Sequence, residues 1–146
     1  MAIETDFLII GSGLAGLNAA LRLAREGRVV VLSKKHAGES NTAYAQGGLA
    51  SVMAEEDSFE SHAHDTLEAG ADLCRPSVVN TIVAEGPNAV ERLISHGVNF
   101  DSGSHGFDLT REGGHRNRRI LHAQDITGRE IDRALRQAVS QHDQIT

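Results

Sequence analysis

The 146-residue chain carries 14 lysines and arginines against 20 aspartates and glutamates, and its formal net charge of −6 disfavours a nucleic-acid-binding protein. Only 3% of the residues are aromatic, and the single cysteine excludes an internal disulfide, which fits a reducing cytoplasm. No apolar run approaches the ~18 residues of a membrane-spanning helix and no signal peptide is visible, so we expect a cytoplasmic protein with no membrane partner.

A short apolar run, Phe7–Ile10, leads directly into a glycine-rich turn with the pattern G-x-G-x-x-G. This pattern predicts a dinucleotide site when a strand precedes it and a helix follows it. Glycines permit the tight turn and the close approach of a pyrophosphate, and the helix start offers free N–H groups and the positive end of its dipole. A tight turn without a ligand is the alternative. The residues predicted to hold the pyrophosphate are Gly11, Ser12, Gly13, Leu14, Ala15 and Gly16.

The segments around this turn predict the start of an α/β fold. Phe7–Ile10 is continuously apolar, so we expect a strand that is buried on both faces. Apolar residues at helical intervals predict a helix over residues 14–26, with Gly27 at its C′ position. Residues 28–32 predict a second strand, parallel to the first because such crossovers are right-handed.

The end of the second predicted strand lacks the acidic residue that holds the adenine ribose in NAD-binding sites. Ser33 and Lys34 stand there instead, and this departure argues against a plain NAD dehydrogenase. A ribose would then be held by the Ser33 hydroxyl or by a backbone group. Lys34 would either bind a phosphate or be solvated.

Residues 38–48 form a small, polar, glycine-ended segment without a strong helical pattern. Such a segment can lie along a flat ligand, with Ser40, Asn41, Thr42 and Gln46 supplying hydrogen bonds. An ordinary loop is the alternative.

The rest of the chain predicts short strands and longer helices. Ser77 is expected to cap a long helix that is interrupted or tilted near Pro87, and Thr127 to cap a final helix with Glu130 in the capping-box position. A further strand is expected near residue 144, so we interpret the chain as the front part of a longer protein. The predicted ranges are strands at 49–52 and 120–121, a solvated turn at 55–58, and helices at 58–69, 77–96 and 127–140.

A charged island, residues 110–116, combines a carboxylate, a histidine and arginines with paired glycines in a predicted loop. Glu112 could contact a substrate amine or accept a proton, and the arginines could hold carboxylates bidentately. A solvated loop is the alternative. His62 and His64 suggest a metal site, but at i, i+2 on a helix they point apart and no ligand pattern completes the set, so no metal is predicted.

The sequence resembles the L-aspartate oxidase family, within the succinate dehydrogenase/fumarate reductase flavoprotein group, from residue 6 to about residue 145. The similar segments follow one another as IIGSGLAGLNAALRLA, VLSK, AYAQGG, LTREGGH, RRILHA and DITGREI. The first is generic to flavoproteins, whereas LTREGGH followed by RRILHAxDxTG is much more specific. In the dehydrogenase and fumarate reductase relatives a histidine binds the flavin covalently, and Asn41 stands at that position here.

The resemblance implies an α/β, Rossmann-like FAD-binding fold, of which this chain holds the N-terminal part without the capping domain or the C-terminal helical domain. It also implies that FAD is held non-covalently, because an asparagine amide cannot form the flavin bond. Residues 12–15 would cradle the pyrophosphate and Lys34 would lie by the adenosine end. The residues implied to run along the flavin are Asn41, Thr42, Ala43, Tyr44, Ala45, Gln46, Gly47 and Gly48.

The implied reaction is oxidation of L-aspartate to iminoaspartate, with oxygen or fumarate as acceptor and Glu112 orienting the substrate. Quinolinate synthase would use the product for NAD synthesis. The alternatives are a dicarboxylate dehydrogenase, disfavoured by Asn41 and Glu112, and a nucleotide-binding module without catalysis. Since the family's substrate-clamping residues lie mostly outside this chain, we expect the chain alone to be inactive and to hold FAD weakly. We also expect it to self-associate, because the two predicted strands have few partners here and would leave an open sheet edge and uncovered apolar surface.

Overall fold

A computed structural model describes residues 2–34, 36, 38–104 and 106–146. The described chain contains six short strands and five helices. In order they are β1 (Phe7–Ile10), α1 (Leu14–Leu23), β2 (Val29–Leu32), α2 (Asn41–Tyr44), β3 (Leu49–Ala50), α3 (Phe59–Ala69), α4 (Pro76–Ser95), β4 (Ser102–Gly103), β5 (Gly106–Phe107), β6 (Ile120–Leu121) and α5 (Thr127–Ser140).

Strands β1 and β2 form a parallel pair in which Phe7 lies opposite Val29, as the sequence predicts. Val29 also faces Ile145 across a parallel bridge on the other side of β2. The Val29 N–H donates to the carbonyl of Gln144 (2.8 Å), and the Thr146 N–H donates to the carbonyl of Val29 (2.9 Å). The expected extended segment near residue 144 is therefore confirmed as a third parallel neighbour.

The prediction that β1 is buried on both faces is wrong. Phe7 and Ile9 pack against a small buried cluster on α1 and β2, whereas Leu8 and Ile10 are 59% and 81% exposed. The helices cover one face of the parallel pair, and no other segment of the described chain covers the opposite face. With the exposed Leu32, these side chains leave an uncovered apolar face, which we call the bare sheet face.

The main core lies where α1, α4, α5 and β6 meet. Leu17 and Leu21 of α1 pack with Val90 of α4, Leu121 of β6 and Leu135 of α5, and all five are buried. Burying one such side chain completely contributes about 1.5–3 kcal/mol. This core fixes the start of α1, and thus the glycine turn, relative to β6.

Helix α4 passes through Pro87 without interruption, contrary to the prediction. Val83 and Val90 are buried on either side of the proline. A proline in a helix interior costs about 3 kcal/mol or more, and this packing offsets that cost. Gly86 lets the helix approach the chain after β3 closely, since a Cβ there would lie 3.0 Å from the Ser51 hydroxyl.

Two predicted helix starts differ in detail. Helix α4 begins at Pro76, whose missing N–H costs nothing in the first turn, so Ser77 is not the cap. At the start of α5 the Thr127 hydroxyl accepts from the Ala123 N–H (3.1 Å), outside the helix. Glu130 accepts from the Asn99 N–H (2.9 Å) and from Arg133 of its own helix, not from the backbone N–H at the helix start, so the predicted capping box is wrong.

The end of α1 also differs from the prediction, because the helix stops at Leu23. Gly27 does not adopt the left-handed conformation of a C′ glycine. Its lack of a side chain serves a close approach instead: a Cβ would lie 2.7 Å from the carboxylate of Asp6. That carboxylate accepts from the Arg28 N–H (2.7 Å) and ties the turn to the start of β1.

Candidate functional site

The glycine turn has the geometry that its sequence predicts. Gly11 has a φ of +113°, a conformation that side chains other than glycine rarely adopt. Its N–H donates to the carbonyl of Leu32 at the end of β2 (2.8 Å). A Cβ on Gly16 would collide with the Gly11 carbonyl, so glycine at both positions brings the first turn of α1 tightly against β1.

The N-terminus of α1 opens towards the segment that the sequence singled out. The Leu14 N–H donates to the Thr42 hydroxyl (3.0 Å), which fixes the end of α2 nearest the turn. Within the described chain, the amides of Ala15 and Gly16 have no hydrogen-bond acceptor. Free N–H groups at the positive end of a helix dipole favour an anion such as a phosphate.

A cavity of about 450 Å³ lies in front of this helix start. It brings together three predicted parts: the glycine turn, the end of β2 with Lys34, and α2. Its lining consists of Gly11, Ser12, Gly13, Ser33, Lys34, Glu39, Ser40, Asn41, Thr42 and Tyr44.

A larger cavity, of about 590 Å³, adjoins it across the hydrogen bond between the Ser12 and Ser33 hydroxyls (3.0 Å). Its two arginines, Arg133 and Arg136, are paired with acidic residues of their own helix α5. The smaller cavity is the better phosphate site, because the glycine turn at the start of α1 and the cationic side chain of Lys34 both line it.

Residues 38–48 contain a short helix, α2, where the sequence predicted no helical pattern. Ser40 caps it, its hydroxyl accepting from the Ala43 N–H (3.2 Å) and donating to the buried carboxylate of Asp132 (3.3 Å). Arg136 pairs with the same carboxylate (2.7 Å). Gly128 of α5 lies directly against the backbone of α2, where a side chain would not fit. Long-range packing against α5 therefore holds this helix in place.

Tyr44, at the end of α2, is 64% exposed. Its hydroxyl donates to the carboxylate of Glu39 (2.9 Å). This hydrogen bond, followed by the repulsion of the two negative charges, raises the pKa of Tyr44 above that of a free tyrosine.

The segment after α2 meets the charged island. The Gly48 N–H lies 3.5 Å from a carboxylate oxygen of Glu112, and a Cβ on Gly47 would lie 3.9 Å from the same atom. Strand β3 continues from Gly48 and pairs with β6, which follows the island. Residues 41–48 thus contact the glycine turn at one end, where Thr42 accepts from the Leu14 N–H, and Glu112 at the other end, through Gly48.

The loop that carries Glu112 is closed at its base by the antiparallel bridge between Thr110 and Ile120. Its returning arm is fixed by Arg119, which is completely buried. The guanidinium donates to both oxygens of Asp57 (2.7 Å each) and to Asp65 of α3 (2.9 Å). We call Arg119, Asp57 and Asp65 the anchor cluster.

The electrostatics of the anchor cluster follow from its pairing. Burial acts to raise the pKa of Asp57 and of Asp65, but hydrogen bonds outweigh it and leave both values below the usual range of a carboxyl group. The donors are Arg119 and Asn117 for Asp57, and the Arg116 amide and Arg119 for Asp65. Both aspartates are therefore ionised at neutral pH and balance the arginines.

Sequence reasoning missed this cluster. It predicted a solvated turn around Asp57, whereas that carboxylate is buried, and it assigned no role to Arg119. One signal was available: Ser61 and Asp65 lie four residues apart on one face of α3, and both face Arg119. Polar residues on the buried face of a helix indicate a partner from elsewhere in the chain.

The histidines of α3 point apart as the sequence predicts. His62 is buried and its ring meets that of His115 edge to face at 5.6 Å, while His64 is exposed. Burial, and then the charge of Arg119, lowers the pKa of His62 below its ordinary value. In the described residues no group of three or more His, Cys, Asp or Glu side chains is arranged to hold a metal ion.

Comparison with known proteins agrees with this geometry. The model of the FAD binding domain family matches residues 6–146. The chain belongs to the FAD-binding domain family. Among the parts of it that the structure describes, no helix is long and apolar enough to cross a membrane.

The chain is also a homologue of L-aspartate oxidases. It is 52% identical over 141 residues to "L-aspartate oxidase 2-a, chloroplastic" of Nicotiana tabacum, covering 96% of this chain and 22% of the relative. It is 49% identical over 147 residues to the L-aspartate oxidase of Yersinia pestis, covering 97% and 28%. The chain therefore spans about a quarter of the length of these relatives.

The fold itself matches a solved flavoprotein. The FrdA chain of E. coli quinol fumarate reductase superposes with a TM-score of 0.93 at 34% identity, over 99% of this chain and 25% of that one. The predicted α/β fold with a parallel strand pair and flanking helices is confirmed.

Proposed function

We propose that this chain forms the FAD-binding part of an L-aspartate oxidase that converts L-aspartate to iminoaspartate, with oxygen or fumarate as electron acceptor. The observation that carries the proposal is the juxtaposition of Glu112 with Gly47 and Gly48. It joins the specific island LTREGGH to the surface that begins at the glycine turn. Identity of about 50% to L-aspartate oxidases supports the same assignment.

The residues of the cavity fit the phosphate end of FAD. The free amides of Ala15 and Gly16 would hold the pyrophosphate, Gly13 would let it approach the backbone, and Lys34 would lie by the adenosine end. The bound flavin supplies the redox chemistry, as the acceptor of a hydride from the substrate. The protein supplies position and charge.

Glu112 is proposed to orient the substrate. An aspartate ammonium group needs an acceptor nearby, and a carboxylate makes a charge-assisted hydrogen bond with it. Asn41 lies at the start of α2 and lines the cavity. Its side-chain amide cannot form the covalent bond that a histidine forms with the flavin, so FAD is proposed to be bound non-covalently.

The complete activity is proposed for a longer protein in which a capping domain supplies the substrate-clamping residues. A cytoplasmic location is part of the proposal, although the plant relatives are named as chloroplastic. Quinolinate synthase is the proposed consumer of iminoaspartate. The 146-residue chain alone is proposed to be inactive, to bind FAD weakly and to associate with itself through the bare sheet face.

A fumarate reductase type of flavoprotein is the second candidate, because the likeness to the FrdA chain covers nearly the whole of this chain. Such an enzyme would oxidise a dicarboxylate without an amine. Asn41 and Glu112 favour the aspartate oxidase, and the two candidates differ in whether L-aspartate or succinate reduces the flavin.

The cofactor assignment is tested in a chimera in which residues 6–146 replace the matching segment of the Yersinia pestis L-aspartate oxidase. Gly13→Val fills the space proposed for the pyrophosphate, and the purified chimera should then lack FAD. Gly103→Val, at the exposed end of β4 with no atom of the described residues within 4 Å of its Cβ position, is the control and should retain FAD. Normal flavin content in Gly13→Val would refute the pyrophosphate site.

A further inference from the structure

The loop that carries Glu112 is docked on the rest of the chain through its returning arm. Glu112 itself is exposed, and the N–H of Gly48 lies at the long distance of 3.5 Å from its carboxylate. The fixed part is the returning arm, residues 116–120, which docks on α3 and pairs with β3. The position of the carboxylate is thus set by groups that do not touch it.

Three residues of the returning arm, which we call its tethers, bind α3 and the turn before it. The Arg116 N–H donates to Asp65 (2.9 Å), and the side-chain amide of Asn117 donates to Asp57 (2.7 Å). Arg119 binds both aspartates, so its planar guanidinium joins the turn before α3 to the helix itself. A lysine ammonium cannot reproduce this fork.

The backbone of Arg119 also contacts the chain just after β3, the strand that follows the residues proposed to run along the flavin. Its carbonyl accepts from the Ser51 N–H (2.9 Å), which continues the pairing of β3 with β6. Gly48 stands at the start of β3. One residue therefore fixes the loop of Glu112, helix α3 and the strand that follows Gly48.

We propose that the anchor cluster, with Arg119 at its centre, is the positioning device that sets Glu112 against Gly48, and through Glu112 the handling of the substrate amine. The identity of the substrate in this inference rests on the proposed function, whereas the placement of Glu112 by the anchor cluster does not depend on it. Arg119 is a positioning residue, because it is completely buried and acts through another group.

The test is a double-mutant cycle in the chimera, with kcat/KM for L-aspartate as the readout. Arg119→Lys should lower kcat/KM roughly as much as Glu112→Gln does, and should cause no further loss in the Glu112→Gln background. Arg118→Lys, the same change at the exposed neighbour whose side chain donates to the Leu109 carbonyl, is the control and should leave kcat/KM unchanged. Equal fold-losses in both backgrounds, or no loss at all, would overturn the proposal.

If Arg119→Lys does not fold, Asn117→Ala, which removes one tether to Asp57, makes the same test. If the chimera does not oxidise L-aspartate, the proposed function fails and the geometry is tested alone in the 146-residue chain. In NMR spectra of that chain, the amide resonance of Gly48 should shift on Glu112→Gln. The shift should disappear when Arg119→Lys or Asn117→Ala has broken the anchor cluster. A shift that persists in those variants would overturn the positioning role, whatever the substrate.

Discussion

Substitution of Glu112 by glutamine isolates the charge of one side chain. The amide keeps the shape of the carboxylate, and its oxygen can still accept from the Gly48 N–H. Glu112 is exposed and does not line the cavity in front of the glycine turn, so FAD content should not change. The altered property is the interaction with a positively charged substrate amine.

The expected loss follows from that interaction. A hydrogen bond to a charged group contributes about 1.5–3 kcal/mol, and each ~1.4 kcal/mol corresponds to a tenfold change. In the chimera, Glu112→Gln should therefore lower kcat/KM for L-aspartate roughly tenfold or more. Reduction of fumarate should be affected less, because fumarate has no amine.

Steady-state assays with both substrates on one preparation measure the difference. Asp108→Asn, which also neutralises a carboxylate before the same loop, is a matched control and should leave both rates unchanged. Equal losses with L-aspartate and fumarate for Glu112→Gln would refute the specificity role and leave only general positioning.

Three further outcomes are expected. Because Asn41 cannot bond to the flavin, acid precipitation of the chimera should release all its FAD, and yellow colour in the pellet would contradict non-covalent binding. Asp57→Asn removes the charge of one of the two carboxylates that bind the buried Arg119 and should lower the free energy of unfolding of the 146-residue chain by about 1.5–3 kcal/mol, measured in urea, whereas an unchanged midpoint would show that this charge contributes nothing. The bare sheet face should make the chain self-associate, which light scattering measures; Ile10→Lys should weaken the association, and a monodisperse monomer without that change would exclude it.

The stability of the chain should also depend on pH, with a sign that follows from the lowered pKa values. Burial lowers the pKa of His62 and of His96, so stability should decline as the pH falls below the ordinary histidine pKa of about 6.5. Asp57 and Asp65 contribute stability above the ordinary carboxyl range, which is lost as the pH falls through their lowered values. Urea midpoints that rise on acidification would contradict both assignments.

The glycine turn could be predicted from the sequence because its cause is local. A strand, a residue with positive φ at Gly11 and a helix start lie within ten residues, and each leaves a mark in the residue types. The same holds for the helical stripe of α1 and for the cap of α3 by Ser58, whose hydroxyl accepts from the Ser61 N–H.

The features that the sequence did not reveal depend on partners far along the chain. Nothing near Asp57 shows that Arg119, 62 residues later, binds it in the interior. The continuous course of α4 through Pro87 depends on core packing that outweighs a local preference. The exposure of Ile10 depends on what covers the sheet, and a run of apolar residues in β1 carries no information about that.

If this chain supplies the flavin site of an enzyme that oxidises L-aspartate, the substrate must reduce the flavin bound there. The most direct measurement mixes the oxygen-free, FAD-loaded chimera with L-aspartate and follows the absorbance of the oxidised flavin. L-aspartate should bleach the flavin, succinate should not, and Glu112→Gln should slow the bleaching. A flavin that succinate bleaches and L-aspartate leaves oxidised would contradict this assignment.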